Sequence, residues 1–126
     1  MMNISRLFMI IGTLYLLGGI GFGMYMSGSQ DTTMIPIHAH MNLLGFTLMM
    51  VFGLTYRLIP AMAGSMLAMA HFWLHQIGAV VLLVMLYLLL SGRIAETAMV
   101  PVAPIAEVAV WIGIACFGVN LLQNAK

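Results

Sequence analysis

The chain carries four histidines, His38, His40, His71 and His75, inside runs of apolar residues. A neutral imidazole ligates transition metals through one nitrogen, and near neutral pH it also takes up and releases a proton. The four fall into two pairs with different spacing. In "IPIHAHMNLLGF", residues 35 to 46, His38 and His40 are two residues apart. Successive residues of an α-helix turn by about 100°, so these two side chains leave an unbroken helix about 200° apart, on opposite faces. Such a pair cannot chelate one small ion. The two serve different sites or interfaces, or one of them is structural. His71 and His75 are four apart and share a helix face. That is the spacing of a compact metal site, but Trp73 between them is no ligand and the glutamate of H-E-x-x-H is missing.

The elements that must position these side chains follow from composition. Of 126 residues, 63% are hydrophobic and 6% charged, against about 25% charged in soluble domains. This is the composition of an integral membrane protein, with the lipid bilayer as its first partner. The formal net charge of +1 gives no reason to expect a nucleic-acid partner. Cys116 is the one cysteine and makes no disulfide framework; it reads as a small buried hydrophobe. The 14 methionines could suggest thioether ligands for copper, but they are dispersed and read as flexible apolar packing.

A spanning helix needs about 20 mostly apolar residues, and four segments qualify, at about 4–26, 35–59, 65–90 and 95–122. Asp31, Thr32 and Thr33 precede the second and can accept from its free N–H groups, and Pro36 suits its first turn. Pro101 and Pro104 break or kink the fourth, whose regular part is expected near Pro104. The short link "PAMAG" and its counterparts make sequential helices antiparallel neighbours. The expectation is an all-α polytopic protein, one four-helix transmembrane domain over residues 1–126. Placing the N-terminus inside puts Arg6, Arg57 and Lys126 on the cytoplasmic side and Arg93 outside, as basic residues prefer. The membrane so implied is a bacterial inner membrane. Gly19 and Gly23 form a G-x-x-x-G pair that permits close helix contact, within the chain or between copies of it.

Intramembrane ionisable groups are costly and mark functional sites. The histidines are therefore expected to bind a metal or a heme. His75 falls near mid-membrane and His40 nearer the outer surface. Asn42 lies one turn from His38 on the same face and could bond it or a heme edge. Glu107 sits in the first turns of the fourth helix; it could support a ligand histidine, relay protons, or answer the helix dipole. Tyr56 and Arg57 read as an interfacial belt, and Glu96 as solvated.

"HAHMNLLGF", continuing through "FGLTYRLIP", resembles the tenth helix of the catalytic subunit of heme-copper oxidases, closest to the C-type branch. "HFWL", residues 71 to 74, resembles the start of the next helix, so the resemblance covers about residues 36 to 93. In that family the H-x-H helix lies between two hemes. The resemblance implies that His38 holds a high-spin heme and His40 a low-spin heme, and that Arg93 pairs with heme propionates. The copper ligands of the family have no counterpart here, and His75 matches no family position, which leaves it a ligand special to this chain and His71 structural. Family subunits have about twelve helices in three four-helix units, so three copies of this chain would supply as many. The resemblance thus implies a homotrimer with heme sites between protomers.

The residues favour heme b, because no C-x-x-C-H attachment motif is present. The function expected is electron transfer, with a redox partner, or sensing of redox state or of a diatomic gas. Oxygen reduction is not expected without the copper ligands. Two other readings stand beside it: a copper- or zinc-handling membrane protein using His and Met, and a structural subunit of a larger respiratory complex.

Overall fold

The computed structural model describes residues 2–126. Among these residues every regular element is helical, and four helices are long and apolar enough to cross a membrane: Ile4–Ser29, Ile35–Leu58, Met66–Leu90 and Val102–Asn124. We refer to them as the first to fourth spans. With no water in the bilayer core, backbone polar groups must pair within the segment, and continuous helices achieve this. The chain is an integral membrane protein.

The ends of the spans have local causes. The Asn3 side chain accepts from the Arg6 N–H and caps the first span, which stops at Gln30 in the left-handed region (φ 59°). Pro36 sits in the first turn of the second span, where a missing N–H costs nothing. Ser65 caps the third span by accepting from the Ala68 N–H. The fourth begins at Val102 rather than near residue 95; Glu96–Met99 form a separate 3₁₀ turn ahead of Pro101. A short helix, Pro60–Ala63, links the second and third spans.

One feature was not foreseen. The second span is α-helical over Ile35–His40, widens into a π-helix over Met41–Thr47, and returns to α over Leu48–Leu58. Thr47 fills the widened turn by donating its hydroxyl to the Asn42 carbonyl at 2.9 Å. π-turns are rare and occur often at functional sites.

Glycines and small side chains let the helices approach closely, because packing rather than hydrophobic exclusion joins helices in lipid. Along the first span, Ser5 donates to the Gly53 carbonyl at 2.9 Å, Gly12 meets Met49, Gly19 meets Asn42 and Gly23 meets His38. The G-x-x-x-G pair is thus occupied within the protomer. Gly78 of the third span lies against the fourth so tightly that a methyl there would stand 2.9 Å from the Ala106 carbonyl. The core centres on Phe8, Met49, Phe52, Tyr56, Met62, Ala68 and Phe72, and Phe117 packs against it. Leu14, Leu17, Leu54 and Trp111 are exposed, as lipid-facing residues must be.

Candidate functional site

The α-helical start of the second span holds the first pair. His38 is half-buried and turns toward the first span. Its Nδ1–H donates to the Gly19 carbonyl at 2.7 Å. A carbonyl can only accept, so in the neutral ring Nε2 carries the lone pair, and it accepts from the Asn42 amide at 3.2 Å. Gly19 and Gly23 make room for this arrangement: a side chain at Gly19 would strike Asn42, and a methyl at Gly23 would lie 3.0 Å from the His38 ring. Beside His38 an open groove of about 630 Å³ is walled by Ile20, Gly23, Met24, Ser27 and Gly28.

His40 is exposed and points away from the bundle. Its Nδ1–H donates to the Pro36 carbonyl of its own helix at 2.7 Å. The same argument leaves Nε2 as a lone pair, here with no protein partner in its way. Ligand histidines commonly have this form, with one nitrogen donating to a carbonyl and the other bare, which fixes tautomer and ring orientation.

The second pair lies in the core. His71 and His75 are fully buried, at 0% exposure. Phe52 stands 4.4 Å from the His71 ring and 5.4 Å from the His75 ring, and Phe8 stands 5.0 and 6.1 Å from them, centre to centre. His71 Nδ1 is 2.8 Å from the Tyr56 hydroxyl. His75 donates Nε2–H to the Leu44 carbonyl, in the π-helical stretch, at 3.1 Å. Nε2 of His71 and Nδ1 of His75 have no protein partner. His40 and His75 are not brought together within the protomer, since one is exposed and the other enclosed.

The remaining candidates are dispersed. Asn42 binds His38, and its Oδ1 is buried without a partner. Arg93 is exposed beyond the third span, 5.7 Å from the Tyr87 ring centre. Glu107 is exposed on the fourth span. Outside the spans, Thr33 donates through its hydroxyl and its N–H to Asp31, which holds that carboxyl below the usual range. Among the described residues, no three His, Cys, Asp or Glu side chains converge as a metal site would need.

Tyr56, expected in an interfacial belt with Arg57, lies near the end of the second span and turns inward, 1% exposed, against the core. The signal was present: Met49, Phe52, Gly53 and Tyr56 recur at helical spacing and are all buried. The Leu44 carbonyl had no such signal, because sequence does not reveal which backbone acceptors a π-turn presents.

No family model, curated protein or solved structure matches the chain. The resemblance over residues 36 to 93 stands on those residues alone.

Proposed function

We propose that this protein binds heme b in the membrane and acts in electron transfer or in sensing redox state or a diatomic gas, as a small relative of the heme-copper oxidase catalytic subunit. His40 is the axial ligand in this reading. The observation that carries it is the His40 ring itself, exposed on a spanning helix, with Nδ1–H fixed on the Pro36 carbonyl and Nε2 bare. A bare imidazole nitrogen on the outward face of a spanning helix is costly, which favours a ligand that covers it.

His38 is the second ligand candidate. Its Nδ1–H is fixed in the same way, on Gly19, and the Asn42 amide must turn aside before Nε2 could bind iron. The open groove beside it carries two glycines, Gly23 and Gly28, in its wall. Bound heme would supply one-electron redox chemistry and, with an open axial position, affinity for diatomic gases. The protein's part is to hold the imidazoles in the ligating tautomer and to exclude water with an apolar face.

The spans run as an antiparallel bundle in this proposal. Contacts between the first two support it, since Ser5 meets Gly53 whereas Gly23 meets His38. An exposed ligand on the outer surface favours a site completed by a neighbouring copy, and a homotrimer restores the twelve helices of the family. In this reading the N-terminus is cytoplasmic and the membrane is a bacterial inner membrane, and Arg93, at the outer surface, would pair with the carboxylates of a bound heme.

The deciding experiment is a reduced-minus-oxidised absorption spectrum of purified protein. Wild type is expected to show a b-type signal that His40→Ala abolishes and His75→Ala retains. A colourless protein, after expression with ample heme, overturns the proposal. A detergent-corrected mass equal to one chain overturns the trimer.

A further inference from the structure

The four Lys and Arg and the three Asp and Glu of the chain are not mixed along the bundle. Arg6 stands in the first turn of the first span, and Arg57 in the last turn of the second. Contacts bring these ends together with the end of the fourth span. Ser5 donates to the Gly53 carbonyl, and Asn120 donates to the Met62 carbonyl of the linker at 3.0 Å. Lys126 follows the fourth span, two residues after Asn124, and belongs to the same end. The acids lie elsewhere. Asp31 and Glu96 follow the far ends of the first and third spans. Glu107 is separated from Asn120 by about 20 Å along the fourth. One end therefore carries three basic side chains and, among the described residues, no acidic one.

A groove of about 340 Å³ opens at this end, walled by Asn3, Ser5, Tyr56, Arg57 and Gly64. Two of its polar side chains are buried and fixed by bonds to other spans. Ser5 is 5% exposed and held on Gly53; Tyr56 is held on His71 at 2.8 Å. Arg57 beside them is exposed. Its guanidinium offers donors in a planar fork that matches two oxygens of a phosphate. The Asn3 side-chain oxygen is engaged by the Arg6 N–H, which leaves the Asn3 amide hydrogens free to donate. The unpaired N–H groups at the start of the first span add partial positive charge. Apolar surface adjoins these groups: Leu58 follows Arg57, Met66 opens the third span, and both are strongly exposed.

We infer that this groove binds the headgroup of an anionic phospholipid, with Arg57 on the phosphate and the acyl chains against Leu58 and Met66. Charge complementarity selects the anionic class. A zwitterionic headgroup brings a cation of its own to an end that has no carboxylate to receive it. A free phosphate would satisfy Arg57 and leave the apolar side chains unused. The site does not depend on the heme reading, since His38 and His40 lie at the opposite end of the second span. It also differs from plain attraction of basic residues to a charged membrane. That attraction is worth roughly fivefold in binding for each Lys or Arg near the surface, whichever one it is. A built site concentrates the loss on Arg57 and on the space beside it.

The test is titration of the purified full chain in detergent with phosphatidylglycerol or phosphatidylcholine, read by native mass spectrometry. One phosphatidylglycerol per chain is expected, bound at least tenfold more tightly than phosphatidylcholine. Arg57→Gln is expected to abolish that preference, whereas Arg6→Gln and Arg93→Gln lose no more than about fivefold. Gly64→Trp keeps every charge and starts from a position where an added side-chain carbon meets nothing within 4 Å. It is expected to fill the groove and weaken phosphatidylglycerol at least tenfold in a protein of unchanged helix content. Equal affinity for the two lipids overturns the proposal. So does a loss in Arg6→Gln as large as in Arg57→Gln, or wild-type binding by Gly64→Trp. Release of the bound lipid by excess inorganic phosphate would show a free-anion site and overturn the lipid assignment.

Discussion

The two histidine pairs sit on neighbouring helices and behave as opposites. His38 and His40 lie where the second span begins, and each directs one N–H to a backbone carbonyl: His38 across to the first span, His40 back to its own helix. His71 and His75 lie fully enclosed, and each reaches to the second span, one to a hydroxyl and one to a carbonyl. The difference teaches that burial alone does not mark a ligand. His40 is the least buried of the four and has the most available nitrogen, whereas the enclosed pair is tied into the packing. On the proposed function, removing the exposed ring is expected to cost heme binding and little stability. Removing an enclosed one costs stability first.

That contrast can be broken by mutation. The largest effect is expected for His40→Ala, with at least a tenfold loss of bound heme by absorbance. Compared with wild type in the heme-free state, its unfolding free energy should stay within about 0.5 kcal/mol, as for other surface changes. If heme stays while stability falls, the contrast is reversed. His71→Ala is expected to cost about 3 kcal/mol, since it opens a cavity in the aromatic core and leaves Tyr56 without its partner. Reversible unfolding in bicelles or mixed micelles measures this.

A third change sharpens the comparison by testing the scaffold instead of the histidines. Gly78→Val would press on the Ala106 carbonyl and Val110, with an expected cost of about 2 kcal/mol from overpacking. The same variant should retain the heme signal if the protein folds. Tyr56→Phe removes one interhelical hydrogen bond, with an expected loss of about 1 kcal/mol. The smallest effect lies outside the membrane. Asp31 has a depressed carboxyl, so its bond to Thr33 contributes above the unfolded carboxylate range and is lost as the pH falls through the folded value. Thr33→Ala should move the Asp31 titration upward by NMR and leave both histidine pairs unchanged.

Much of this was legible in the chain. Four apolar runs of spanning length announced four spanning helices, and the proline before Val102 announced a break in the last. The two-residue spacing of His38 and His40 pointed to separate faces, and in the structure one ring turns to Gly19 and the other outward. The widened turn at Met41–Thr47 was not legible, because "MNLLGFT" carries no proline and its one glycine, Gly45, is accounted for by close packing against Tyr15. The inward turn of Tyr56 was legible, since its spacing from Phe52 and Met49 points to the buried face.

The sequence by itself determined that the chain spans a membrane four times, because a bilayer core without water permits only long apolar helices. It also determined that two of the four imidazoles share a helix face, because the angular step of an α-helix is fixed by backbone geometry. Only the tertiary structure decided which ring nitrogens are spoken for. Gly19, Tyr56 and Leu44 become partners only when different spans pack together, and a carbonyl that can only accept then selects the tautomer. The His40 bond is local, to the Pro36 carbonyl one turn back, and its other nitrogen is free because no other span packs against that ring.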